Sequence, residues 1–329
     1  MGIIEIDRII KRFGDFTAVN GISMDIRKGE IYGILGPNGS GKTTTINLLL
    51  GLIDLTSGSI TVNGINVSKD PSKVRMTVGF MSQETLVDQD LTARENLEVI
   101  GSLYHIGKDE LAREVKEALS ESELTEFENV KAGTFSGGMQ RRLNLVRAMM
   151  HNPSVIILDE PTTGLDVQNR VSMWNRIKTL NQNGITIILT TQYLEEADAL
   201  CDRISILDHG KVIANGTPSE LKRMAGNGDI IEISAKISDI PKIKELLKTK
   251  FNLKAESTSD RITAVIAKDP TKTLAKVADQ LEKSKINVIS IGLHLPTLDD
   301  VFIKLTGSTL RDTADASSGS RMDKVMTHR

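Results

Sequence analysis

Apolar positions along the chain fall into several short runs that end in turn residues. Ile3–Ile9, Ile22–Ile26 and Ile31–Leu35 are such runs, and Lys28-Gly29-Glu30 makes the turn before the third. They predict strands. Ser59–Val67 alternates apolar and polar positions around Asn63-Gly64, which predicts a hairpin. Val78–Ser82 predicts a further strand. The pattern then changes. Residues 92–121 are strongly charged, with Leu97, Ile100, Leu103 and Tyr104 at helical spacing, and predict a helical insertion within an α/β domain. A helix over Gln140–Met150 follows. Val155–Glu160 is an apolar strand ending in two carboxylates, the pattern of a parallel strand covered on both faces. A helix over Val167–Gln182, a strand over Ile185–Thr190 and an acidic helix over Tyr193–Leu200 come next. Ile204–Leu207 and Lys211–Ala214 predict a hairpin across Asp208-His209-Gly210.

Ala225-Gly226-Asn227-Gly228 is the best candidate linker. Beyond it the order is strand Ile230–Ala235, helix Ile240–Lys250, strands Leu253–Ser257 and Arg261–Ala267, helix Thr271–Ser284 and strand Ile286–His294. That βαββαβ order fits a ferredoxin-like α+β domain, closed by a short helix over Leu298–Leu305. The reading divides the chain into a domain over 1–225, a helical subdomain within it over about 84–152, a second domain over 228–307, and a tail over 308–329. The tail lacks apolar periodicity and is expected to be disordered. A regulatory or dimerisation role is expected of the second domain.

Composition narrows the class. The 329 residues carry a net charge of −2 and 3% aromatic residues, which argues against nucleic acid as a partner. The single cysteine, Cys201, excludes an intramolecular disulfide and suggests a reducing compartment. The N-terminus has no basic segment followed by an apolar one, so no secretion signal is expected. No apolar run is long enough to cross a bilayer.

The candidate chemistry centres on Gly36-Pro37-Asn38-Gly39-Ser40-Gly41-Lys42-Thr43, with the spacing G-x-x-x-x-G-K-T between a strand and a helix-like run starting at Thr44. In that context the glycines turn backbone N–H groups inward around phosphate oxygens, and the helix N-terminus adds its unpaired donors. Lys42 reaches the terminal phosphates as a point charge, and the Thr43 hydroxyl is placed to ligate Mg²⁺. Asp159 is suited to hold Mg²⁺, directly or through water, and Glu160 to polarise an attacking water; the less favoured alternative is a solvated acidic pair that only ends the strand. Ser136-Gly137-Gly138 offers an N-cap and exposed donors, a second anion site or simply a glycine-rich cap. Phe13 fits either a stacking role against a nucleotide base or the core. Gln83 stands directly after a strand, and Gln192 leads into the helix at Tyr193.

Together these motifs resemble the nucleotide-binding subunit of ATP-binding cassette (ABC) transporters. Phe13 matches the aromatic A-loop, Gly36–Thr43 the Walker A motif, Gln83 the Q-loop, Val155–Glu160 the Walker B motif and its glutamate, and Gly164-Leu165-Asp166 the D-loop. Ser136–Gln140 matches the L-S-G-G-Q signature, with Phe135 in place of the leucine and Met139 in place of the final glutamine. The resemblance implies a P-loop NTPase cassette with a β-rich N-terminal subdomain and a helical insertion. It implies ATP and Mg²⁺ as cofactors. The nucleotide would be held by Phe13, Gly36 to Thr44, Gln83, Ser136, Gly137, Gly138 and Asp166, and the metal by Thr43, Gln83 and Asp159. Lys42, Glu160 and Gln192 would carry catalysis. Two subunits, expected to be identical, would pair head to tail with ATP between them. A separate integral-membrane permease would complete the transporter and place this chain on the cytoplasmic face of the membrane.

The switch position departs from the family. Thr191-Gln192-Tyr193-Leu194-Glu195-Glu196-Ala197 has glutamine where T-H-x-x-E-E-A is usual. This segment and Leu298–Gly307 resemble the daunorubicin/doxorubicin-resistance branch of exporter ATPases. That implies export of a drug, lipid or other small amphiphile. Gln192 alternatively only caps the following helix. Soluble ABC ATPases acting on nucleic acid or ribosomes are the competing class. They generally carry two cassettes, a coiled-coil insertion or zinc-binding cysteines, none of which this sequence has. A P-loop kinase or GTPase is disfavoured by the signature motif and by the lack of a guanine-reading N-K-x-D.

Overall fold

The N-terminal apolar runs pair into a hairpin longer than their sequence suggests. In the computed structural model, which describes residues 2–84, 86–226, 228–257, 260–266 and 269–306, β1 spans Ile4–Phe13 and β2 spans Phe16–Ile26. Register shifts along β1 let polar residues interrupt the alternation without ending the strand. β3 (Ile31–Leu35) leads into α1 (Lys42–Leu49), and β4 (Ser57–Val62) turns back on β5 (Ile65–Asn66) at Asn63-Gly64. β1, β2, β4 and β5 form a four-stranded antiparallel sheet. α2 (Pro71–Thr77) precedes β6 (Val78–Met81).

The charged stretch folds as two helices, α3 (Ala93–Leu103) and α4 (Lys108–Glu121). Thr92 and Glu95 make a reciprocal capping box at the start of α3. The chain breaks at Tyr104–Gly107, where His105 takes a left-handed backbone conformation. With α5 (Gly137–Met149), these helices close over their own apolar cluster, which includes Leu97, Val115, Leu119, Leu143 and Met150.

β7 (Val155–Asp159), α6 (Val167–Gln182), β8 (Thr186–Thr191), α7 (Leu194–Leu200), β9 (Arg203–Asp208) and β10 (Lys211–Gly216) follow. The central sheet runs β10-β9-β3-β8-β7-β6. Every residue of β3, β7 and β8 is buried, as parallel strands covered on both faces require. Leu35 pairs with Thr191 and Asp159 with Thr190, so β3, β7 and β8 end level with one another. The carboxyl ends of such strands are where α/β sheets place their chemistry.

The chain divides into two compact units at Asn215/Gly216, ten residues before the expected linker. The intervening residues form a further helix, α8 (Pro218–Ala225), started by a Thr217–Glu220 capping box. The second unit continues with β11 (Asp229–Ala235), α9 (Ile240–Phe251), β12 (Ala255–Ser257), β13 (Arg261–Ile266), α10 (Pro270–Lys283), β14 (Val288–His294) and α11 (Leu298–Thr306). Its sheet order, β12-β13-β11-β14 with antiparallel pairs throughout, is ferredoxin-like. Ile231, Ile233 and Ala235 alternate inward from β11 against Ile243, Leu247, Val277 and Leu281. α8 belongs to this unit because it packs on α11, where the Lys304 ammonium donates to the carbonyls of Met224 and Ala225 at its end. The expected tail from residue 308 lies outside the described residues.

Candidate nucleotide site

The Gly36–Thr43 loop joins the end of β3 to the start of α1. Gly36 is packed so closely that an added Cβ would lie 2.3 Å from the Leu207 carbonyl oxygen. The Ser40 carbonyl accepts from Gly210 N–H at 3.0 Å, and the Gly210 carbonyl accepts from Asn20 N–H of β2 at 2.8 Å. The loop is thereby fixed to the β9–β10 turn and to the N-terminal hairpin. The Ser40 hydroxyl is buried and has no hydrogen-bond partner among the described residues.

Lys42 is 5% exposed. Its ammonium donates to the carbonyls of Gly36 at 2.7 Å and Pro37 at 3.2 Å, and lies 3.7 Å from Glu160 Oε1. Burial pushes the Lys42 ammonium below its ordinary value, while the carboxylates of Glu160 and Asp159 oppose that shift.

Asp159 and Glu160 are 3% and 5% exposed, so they are not a solvated strand end. The Thr190 hydroxyl donates to Asp159 Oδ1, and the Thr43 hydroxyl stands 3.4 Å from Asp159 Oδ2. Glu160 has a left-handed backbone (φ 48°), held by its N–H donating to Thr190 O and Oγ1, both at 3.1 Å. Glu160 Oε2 accepts from Gln83 Nε2 at 3.3 Å and from the Thr163 hydroxyl at 3.1 Å. Lys42, Gln83 and Glu160 thus converge from the ends of β3, β6 and β7.

Gln192 follows β8. Since Leu35 pairs with Thr191, Gln192 and Gly36 are the next residues on neighbouring strands. Gln192 is not the helix cap: α7 is preceded by Tyr193, whose N–H donates to the Thr191 hydroxyl at 2.9 Å. Phe13 is 51% exposed at the hairpin end, with the Lys11 ammonium 4.9 Å from its ring centroid, so the core alternative does not hold. Thr44 is half-buried in the first turn of α1.

Ser136, Gly137 and Gly138 start α5, with Met139 N–H donating to Ser136 Oγ at 3.3 Å. Ser136 and Gly137 are exposed, and no hydrogen bond or ion pair among the described residues joins them to the Gly36–Thr43 loop. Asp166 caps α6 by accepting from Asn169 N–H at 2.8 Å and Asn169 Nδ2 at 2.7 Å. Those donors hold its exposed carboxyl below the usual range. Gly138 lies against Asn169, so the starts of α5 and α6 are neighbours.

Three supporting residues escaped the sequence reading. Thr190 holds both Asp159 and the Glu160 backbone, and Thr163 holds the Glu160 carboxylate. Arg141, 8% exposed, donates from α5 to the Ser82 carbonyl at 3.3 Å beside Gln83. None belongs to a motif core, and only the partner in space reveals its task. Among the described residues no three His, Cys, Asp or Glu side chains cluster as a metal site. The oxygens of Thr43 and Asp159 standing together suit a hard cation that also takes phosphate oxygens.

A sheet whose strand ends carry this loop, lysine and carboxylate pair defines a P-loop nucleotide-binding protein. The chain matches the ABC transporter family over residues 19–163 and the family described as ATP-binding protein DrrA1-3-like, C-terminal domain, over residues 216–306. It is 39% identical to the daunorubicin resistance ATP-binding protein DrrA2 of Streptomyces coeruleorubidus, covering 92% of this chain and 94% of that one. It is 36% identical to the linearmycin resistance ATP-binding protein LnrL of Bacillus subtilis (strain 168), over 94% and 100% of the two chains. The dimeric post-hydrolysis structure of the ATP-binding cassette MJ0796 bound to ADP and Pi superposes with a TM-score of 0.60 at 29% identity, covering 65% of this chain and 98% of that one. The protein belongs to the ATP-binding subunits of ABC exporters, in their DrrA-like branch. It is an ABC-type ATPase.

Proposed function

We propose that this ATPase binds MgATP between its own Gly36–Thr43 loop and the Ser136–Gly138 segment of a second copy, and that hydrolysis at Glu160 drives export through a separate membrane subunit. The observation that carries the reading is the convergence of Lys42 and Gln83 on the buried Glu160 carboxylate. Backbone N–H groups of the loop and the Lys42 ammonium would hold the phosphates. Thr43, Asp159 and Gln83 would hold Mg²⁺, which neutralises charge on the phosphate oxygens when bound. Glu160 would orient and deprotonate the attacking water, and Gln192 would donate to the γ-phosphate. Phe13 would stack on the base. Ser136 and Gly137 are exposed, which supports their use by a second subunit, as does the exposed Asp166 at the neighbouring start of α6. The ATP-sandwiched pair would open when hydrolysis removes the γ-phosphate contacts.

No helix among the described residues is long and apolar enough to cross a membrane, so the transport path would belong to a permease at whose cytoplasmic face this chain works. Relatives named for daunorubicin resistance, linearmycin resistance and Nod factor export support a drug, lipid or other small amphiphile as cargo. The ferredoxin-like unit would regulate or stabilise the pair. Phosphate release by the purified chain, compared with Lys42→Ala, tests the site. The variant should lose turnover and bind ATP more weakly; near-normal turnover would remove the phosphate-cradle assignment.

A further inference from the structure

Glu196 is a completely buried acid that the proposed reaction does not use. It lies in the first turn of α7, four residues after Gln192. One oxygen, Oε1, accepts from the Thr162 hydroxyl at 2.8 Å and from Trp174 Nε1 at 2.9 Å. Thr162 is itself buried and stands two residues after Glu160. Trp174 lies on α6. On the same helix, the Arg170 guanidinium sits 5.1 Å from the Tyr193 ring centroid. The carboxylate therefore stands where three segments meet: the turn after β7, the start of α7 and the middle of α6.

Glu160 gives this meeting point its significance. A left-handed backbone at a non-glycine residue is strained and persists only when neighbours over-determine it. Thr190 fixes the Glu160 N–H. On the other side, Thr163 N–H returns to the Glu160 carbonyl at 3.3 Å and Leu165 N–H to the Thr162 carbonyl at 3.1 Å. The Thr162 hydroxyl ties that turn to α7, and Glu196 is its acceptor there; the Thr163 hydroxyl bonds within the turn, to Glu160. Removing this acceptor leaves the buried Thr162 hydroxyl and the half-buried Trp174 N–H without their shared partner. Burial pushes the Glu196 carboxyl above its ordinary value, against the donors of Thr191, Thr162 and Trp174 and the charge of Arg170.

We propose that Glu196 is a positioning residue for ATP hydrolysis, which sets the turn carrying Glu160 against the segment carrying Gln192 by accepting from Thr162 and Trp174. The inference rests on the assignment of Glu160 as general base. Glu196 touches no reacting atom. Its effect falls on the rate of the chemical step rather than on ATP binding, because none of its described bonds reaches the Gly36–Thr43 loop.

The test uses the full chain with Glu196→Ala, Glu196→Gln and Thr162→Val. Trp174 is the only tryptophan, so its emission reports directly whether the bond to residue 196 is made. Displacing a reacting group by about 1 Å costs roughly 10²-fold in rate. Glu196→Ala and Thr162→Val should each lower kcat by about 10–100-fold, with ATP affinity within about 3-fold of wild type. Trp174 emission should shift in Glu196→Ala. Glu196→Gln keeps a carbonyl acceptor for both donors and should restore kcat to within a few-fold. A folded Glu196→Ala chain that turns over normally would overturn the proposal, as would equal loss of kcat and ATP affinity in all three variants. If Glu196→Ala does not fold, Thr162→Val decides alone, since it cuts the same bond with little change in volume. Glu160→Gln, measured alongside, separates the two claims: normal turnover there refutes the base assignment, whatever the Glu196 variants do.

Discussion

Gly36→Ala is a one-methyl change that should disable the site without touching its charged groups. The added Cβ would stand 2.3 Å from Leu207 O and 2.6 Å from Ser40 Oγ. Real Cβ atoms almost never come closer than 3.0 Å to such neighbours, so the overlap with Leu207 O is about 0.7 Å or more. The Ser40 hydroxyl can rotate away. The Leu207 carbonyl belongs to β9, which is paired with β3 through Leu35 and Ile206, and cannot. The displacement must fall on the phosphate loop. Misplacement on the order of 1 Å costs about 10²-fold in rate, close to 2.7 kcal/mol of transition-state stabilisation. Gly39→Ala is the control. Its added Cβ would meet no atom within 4 Å, so the cost is backbone strain alone at φ 84°, about 1–2 kcal/mol. Titration with a fluorescent ATP analogue, phosphate release and thermal unfolding would be measured on both. Gly36→Ala should lose ATP binding and turnover together, and more severely than Gly39→Ala. Wild-type affinity and rate in a folded Gly36→Ala chain would refute the packing argument.

Other outcomes follow from the same geometry. Glu160→Gln keeps the size of the side chain but removes the base, so ATP binding should persist while hydrolysis slows by roughly 10²–10⁴-fold, read by phosphate release. Gln192→Ala should slow hydrolysis more than it weakens binding, whereas Gln192→His should keep substantial activity and add a pH dependence near about 6–7 in the turnover profile; a fully active alanine variant would exclude Gln192 from the site. Glu196, with its carboxyl raised by burial, contributes stability that is present below the ordinary carboxylate range and is lost as pH rises through the raised value. Glu196→Gln has no such titration, so melting temperature against pH should fall less steeply there than in wild type across that window.

Much of this was legible because the chemistry sits at the ends of strands with uniform apolar character. Val155–Leu158 announces a covered strand, and the carboxylates after it stand at its carboxyl end, where such sheets place their chemistry. The Gly36–Thr43 spacing carries its own conformation. The sequence was less informative where β1 runs on through the polar Lys11 and Arg12, because cross-strand pairing with β2 rather than side-chain burial holds that end of the hairpin together. α8 was missed for a related reason: Ala225-Gly226 reads as a break, yet packing against α11 makes the preceding eight residues a helix. Thr162 and Thr190 are ordinary residues by sequence, and Glu196 falls in a matched segment that does not reveal its task. Their roles come from partners 31 and 34 positions away, which no local pattern encodes.

The central claim is that two copies close over ATP, each contributing Lys42 at one site and Ser136–Gly138 at the other. Light scattering of the Glu160→Gln chain with MgATP tests it most directly, since slow hydrolysis should trap the closed pair. Twice the mass of one chain is expected with MgATP, one chain mass without nucleotide, and loss of the doubled species when Ser136→Arg is added. A nucleotide-bound Glu160→Gln chain that keeps the mass of one chain at high concentration would contradict it.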